Sequence, residues 1–189
     1  MYAKDSLGYQ ELWVDAEFSQ LKNMDRYLNQ NMKNVLVVVD QDAAFVSDFL
    51  TKVSDKAAGN QDTGLIILGS SKLFEINTLE NRYLNNHSII GLSGHFVDVE
   101  DTATQLFIQK FRKQSNTEPE RFAYFGYDTG LYFAQLFATF GQLPEVQQWP
   151  RVKGLYKGFY FDQRPGAGPS NKFVYKLCVR NYSLQPYKQ

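Results

Sequence analysis

Cysteine is nearly missing from this chain. Cys178 stands alone among 189 residues, so no disulfide can close within the chain and no thiolate cluster can hold zinc or iron–sulfur. Histidine is almost as scarce: His87 and His95 are too few for most histidine metal sites. Excess charge is missing too. Twenty basic and twenty acidic side chains cancel, which leaves no overall electrostatic footprint for nucleic acid or anionic lipid. No apolar run is long enough to cross a membrane, and the start, MYAKDSLGYQELW, lacks the cationic and apolar stretches of a secretory signal. A lone thiol fits a reducing cytosol and an envelope space equally. What the chain has in abundance is aromatic surface, with 15 Phe and 12 Tyr, as expected of a packed domain with many amphipathic rings near its surface.

The apolar pattern alternates between two periods. Phe18, Leu21, Met24, Leu28 and Met32 fall three and four apart and predict an amphipathic helix. Val35 to Val39 is an unbroken apolar strand, expected to be buried on both faces. Phe45, Val46, Phe49, Leu50 and Val53 then form a helical stripe behind Asp42, a good N-cap. The alternation repeats with a strand at 63–70, a short helix carrying Leu73, Ile76, Leu79 and Leu84, and a strand at 87–93. A helix follows with Ala103, Leu106, Phe107 and Phe111 inward. A further helix is expected over 128–141, capped by Asp128 and ended by Gly141. Strands alternating with helices imply an α/β fold: three layers, αβα, around a mainly parallel sheet. Near the end, the runs at 156–162 and 173–178 alternate with period two about a Gly/Pro-rich loop, which predicts a C-terminal β-hairpin. The organisation expected is an N-terminal helical segment, 1–33, followed by one α/β lobe, 34–189, whose hairpin covers 151–186.

Asp40-Gln41-Asp42 follows the first strand and admits three readings. As part of a phosphoacceptor domain it would need an aspartate at the end of a later strand, but those strands end in Gly69-Ser70-Ser71 and Ser93-Gly94-His95. As a D-x-D metal grip of a glycosyltransferase it would need a nucleotide-binding unit upstream, where only about one helix precedes Asn34. The third reading needs no ligand: Asp40 ends a strand and Asp42 caps the next helix. Such a tip can still line a cleft, because open parallel sheets bind ligands beyond their carboxyl ends. No nucleophile elbow, phosphate-cradling glycine loop, zinc spacing or catalytic triad order is present, so no catalytic residue, cofactor or metal is assigned.

The stretch YLNNHSIIGLSGHFVDVEDTATQLFIQKFRKQSNTEPERFAYFGYDTGLYFAQLFATFG resembles the type I periplasmic-binding-protein fold. The matching features are the loop from Ser93 to Phe96, Val97-Asp98, Phe107 and Phe111 on a helix, Pro119, and Tyr124 with Gly126-Tyr127-Asp128 opening a helix. The tail, with Asn171 between a glycine-rich loop and a strand, resembles that family's closing hairpin. Within the group the likeness is to an envelope-associated branch found in Bacteroidetes and often coupled to LysM modules. The resemblance implies a non-catalytic binding module, periplasmic or envelope-associated, for a small polar ligand (an amino acid or cell-wall fragment) or a cell-wall-related protein partner. It also implies that this chain corresponds to the second of two lobes and lacks most of the first.

By family position the cleft-facing residues would be Asp42, Ser70, Ser71, Ser93 and His95, with Tyr127 and Asp128 near the hinge. Each has a plainer alternative. Serines after strands form caps and turns, a loop histidine is simply exposed, and Tyr127 and Asp128 can be packing and a cap. Cys178, on an alternating strand, reads as a small buried residue. The aromatics of the 131–140 helix and of the terminal hairpin are either core or a docking surface, and a homo-oligomer covering them is a further expectation.

Overall fold

A computed structural model describes residues 26–29, 32–39, 42–59, 65–75 and 89–187. Three parallel strands, β1 (Val35–Val38), β2 (Ile66–Ser70) and β3 (Ile89–Ser93), lie side by side. Two antiparallel strands, β6 (Tyr175–Arg180) and β7 (Ser183–Pro186), extend the sheet in the order β1-β2-β3-β6-β7. Helix α1 (Ala43–Gly59) connects β1 to β2. Helices α2 (Thr102–Ser115) and α3 (Arg121–Phe140) stand between β3 and the short ribbon of β4 (Phe161–Asp162) and β5 (Ser170–Asn171). The architecture is α/β, a mixed sheet with a parallel core and flanking helices, as the alternating periods predict.

Helix α1 forms because Val46, Phe49, Leu50 and Val53 recur at helical spacing, and all four are buried against Val38, Ile67, Ile89 and Val179 of the sheet. Asp42 starts the helix by accepting the Phe45 N–H at 2.8 Å. Ser71–Glu75 is a 3-10 turn that seats Leu73 in the same core. A Cβ at Gly69 would collide with Leu73, and one at Gly91 with the Phe74 ring, so these two strand glycines let the turn lie flat on the sheet.

Several expectations are corrected. The first strand is not buried on both faces: Val35 and Val37, on one face, are 52% and 66% exposed while Val38 on the other is buried, and β2 is the only sheet neighbour of β1 among the described residues. Helix α3 begins at Arg121, so Asp128 lies in its middle and Glu120 holds the N-cap position. Gly141 does end that helix, with φ at 72°. On α2 the buried side chain is Thr104, with Phe107 and Phe111 half-buried, while Ala103 and Leu106 face solvent. The two alternating runs near the end do not pair with each other: Phe161 and Asp162 of the first meet Asn171 and Ser170, in the stretch between the runs. The second run instead joins β3 and turns back as β7 through Asn181 and Tyr182, whose φ values of 51° and 60° are those of a two-residue hairpin. The helix expected from Phe18 lies outside the described residues except near its end, where Leu28 packs on the core and Met32 is exposed. Ile76, Leu79, Leu84, His87 and Asp40 also lie outside them.

Candidate functional site

The parallel strands put their carboxyl ends on one edge. Asp42 follows β1, Ser70 and Ser71 follow β2, and Ser93 and His95 follow β3, with neighbouring strands about 4.8 Å apart. The side chains on this edge differ in how free they are. The Asp42 carboxylate is exposed but engaged as a cap, and Ser70 and Ser71 are half-buried. Ser93 is buried: its hydroxyl donates to the His95 carbonyl at 2.7 Å and accepts the His95 N–H at 3.3 Å, a local turn. The His95 ring is exposed and lies 4.9 Å from the Tyr156 ring.

Tyr127 and Asp128 are not on this edge. Asp128 is 4% exposed, and its carboxylate accepts three successive backbone N–H groups, from Leu155 at 2.8 Å, Tyr156 at 2.8 Å and Lys157 at 2.9 Å. Three oriented amides compensate the buried charge as an anion-binding nest does. Gly154 is required here, since a Cβ would strike both the Lys157 carbonyl and the Asp128 carboxylate. The segment 152–159 thus forms a strap, which is also tied to the sheet. Phe96 N–H donates to the Tyr156 carbonyl at 2.8 Å, and the Tyr175 hydroxyl donates to the Gly154 carbonyl at 3.1 Å. Burial, with the Asp128 charge adding to it, pushes the Tyr175 phenol well above its ordinary range.

Asp128 therefore links to the carboxyl edge indirectly, through the strap that places Tyr156 beside His95. A run of rings continues the connection: Tyr156 to Tyr124 at 6.4 Å, Tyr124 to Phe107 at 5.0 Å, and Phe107 to Tyr127 at 4.8 Å. Beside this run lies a cavity of about 340 Å³ between α2, α3 and the strap. Asp98, Asp101, Tyr127, Leu131, Gln135 and Lys153 are among its walls. Behind them Tyr132 is stacked on Phe159 at 4.3 Å and donates its hydroxyl to the Pro150 carbonyl at 3.0 Å. Burial raises the Tyr132 phenol as well.

Sequence reasoning did not find Tyr156, Gly154 or Lys153. The available signal was the pair of glycines in GLYKG: Gly154 accommodates Asp128, and a Cβ at Gly158 would enter the Phe173 ring. Asn171 is marked in the sequence only by the family resemblance. Its side chain accepts the Tyr160 and Phe173 N–H groups and donates to the Gly158 carbonyl, which fixes the ribbon. Among the described residues no group of three or more His, Cys, Asp or Glu is arranged to hold a metal ion.

Comparisons with known proteins give little to set beside this geometry. No family model matches the chain, and no curated protein matches it. Among solved structures the chain is similar, over 89% of its length, to one described as a branched-chain amino acid ABC transporter from Rhodospirillum rubrum, at 14% identity and a TM-score of 0.48. It spans 47% of that chain.

Proposed function

We propose that this chain is a non-catalytic binding module that holds a small polar or zwitterionic ligand at the carboxyl edge of β1, β2 and β3. The observation carrying the reading is that three neighbouring parallel strands each end in or are followed by hydrogen-bonding residues, β1 by Asp42 at the start of α1, β2 by Ser70-Ser71 and β3 by Ser93 and His95. Ser70, Ser71 and the exposed His95 imidazole are the contacts we assign to the ligand, with Asp42 supplying charge at the rim. The resemblance of residues 83–141 to type I periplasmic binding proteins supports an amino acid or cell-wall fragment as ligand and an envelope location. A cell-wall-related protein partner is the other occupant of the same edge. Asp128 acts behind it, by fixing the strap that carries Tyr156, while Tyr127 packs against Phe107.

Calorimetric titration of the protein with free amino acids and muramyl peptides tests this reading. Saturable binding that Ser70→Ala and His95→Ala each weaken is expected. Saturable binding indifferent to both substitutions removes the reading. The rival is a metal-dependent glycosyltransferase acting through Asp40 and Asp42. Under our reading manganese with sugar nucleotides gives no heat, because the ligand is held by hydrogen bonds and no metal takes part. The exposed aromatic side of α3 we assign to self-association.

A further inference from the structure

The cavity between α2, α3 and the strap is separate from the carboxyl edge, and its chemistry selects a different ligand. We infer that it takes a small organic monocation with an apolar body, of the arylalkylammonium class. Its volume of about 340 Å³ falls in the range of small-molecule pockets. Its walls carry three acids, Asp98, Asp101 and Asp128, against one base, Lys153, so the lining is formally negative by two charges. The Asp128 charge is answered by its three N–H donors. The other two carboxylates are only partly used. Asp98 accepts one backbone N–H, from Glu100, and Asp101 accepts from the N–H and hydroxyl of Thr104, each through a single oxygen. Neither has an ion-pair partner among the described residues.

The rest of the wall is apolar and aromatic. The Tyr127 ring, 44% exposed and tilted at 47° against Phe107, offers a face to a cation, while Leu131 and Leu155 line the space for an apolar body. The pocket is also built in advance of any ligand. The strap that forms one wall is closed by reciprocal hydrogen bonds between Val152 and Phe159, at 2.9 and 2.8 Å, and held down by Asp128. A site fixed in this way spends no ordering energy when it fills.

The test uses the whole ¹⁵N-labelled chain and benzylammonium chloride as the probe, with benzyl alcohol and benzoate as comparators. Benzylammonium is expected to shift the amides of Ala103, Thr104, Tyr127 and Leu155 saturably, and benzoate to leave them in place. Charge removal in the pair Asp98→Asn with Asp101→Asn, in which asparagine keeps the N-cap, should weaken binding by about tenfold, the size of one charge-assisted contact. Leu131→Trp, at a rim residue 45% exposed, should block the probe while leaving amino-acid binding at Ser70 and His95 unchanged. Equal shifts from benzyl alcohol, shifts confined to other residues, or no saturable shift at all would each overturn the assignment. The carboxyl-edge proposal stands or falls separately.

Discussion

Asp128 shows what a buried carboxylate can do for a fold. Helix α3 carries it to a strap nearly thirty residues further along the chain, where it satisfies three amides that the protein would otherwise leave unpaired. Asp128→Ala orphans those donors and should cost about 3 kcal/mol in urea unfolding, since each unsatisfied buried group costs on the order of 1–3 kcal/mol. Asp128→Asn keeps an acceptor and should cost less. A variant as stable as the parent would show that the strap holds without the clamp. Tyr175, bonded to the same strap, gives a pH test. Its folded-state pKa is raised, by burial first and the Asp128 charge second, so the native state keeps the proton that the unfolded chain releases near 10. Its contribution is therefore whole below pH 10 and falls as pH rises beyond that. Unfolding at pH 9 and 11 should show a loss that Tyr175→Phe reduces, the remainder coming from groups such as Tyr132 that burial also raises.

At the scale of elements, the two ends of the sheet depend on local chemistry that substitution can probe. Asp42 caps α1, and Asp42→Ala should lower stability by about 1 kcal/mol, read as a fall in the urea midpoint at unchanged slope. The β6–β7 hairpin turns through two residues with positive φ, and the second is Tyr182, a side chain that pays for that conformation. Tyr182→Gly should raise stability by about 1 kcal/mol, and a loss instead would mean that the ring's contacts outweigh the backbone relief. Helix α1 was readable because one apolar stripe meets one sheet face. The sequence pattern puts the cap of helix α3 eight residues late, at Asp128 instead of Glu120, because the helix is apolar nearly all round. Its buried set, Tyr124, Asp128, Tyr132 and Leu136, includes an acid that no hydrophobic pattern would place inside. The capping signal at Asp128 was therefore read where a buried anchor stands.

At the scale of the molecule, apolar side chains of the described residues are exposed in two groups that matter here. Val35 and Val37 stand out on β1 with Val39 just beyond it, and Phe122, Phe137 and Phe140 are 67%, 50% and 43% exposed along α3. Self-association through α3 should appear in sedimentation velocity as a concentration-dependent rise, and the pair Phe137→Glu with Phe140→Glu should abolish it. A monomer at high concentration would leave that helix side without its assigned role. By itself the sequence determined the alternation of strand and helix, the α1 stripe, the Asp42 cap, the Gly141 stop and a buried Cys178, because periodicity and capping are local properties of the backbone. Only the tertiary structure decided that β1 ends the sheet, that β6 runs antiparallel beside β3, and that Asp128 grips a distant strap. Each of those depends on which segments meet across long stretches of chain, where burial and the pairing of polar groups, rather than local propensity, set the outcome.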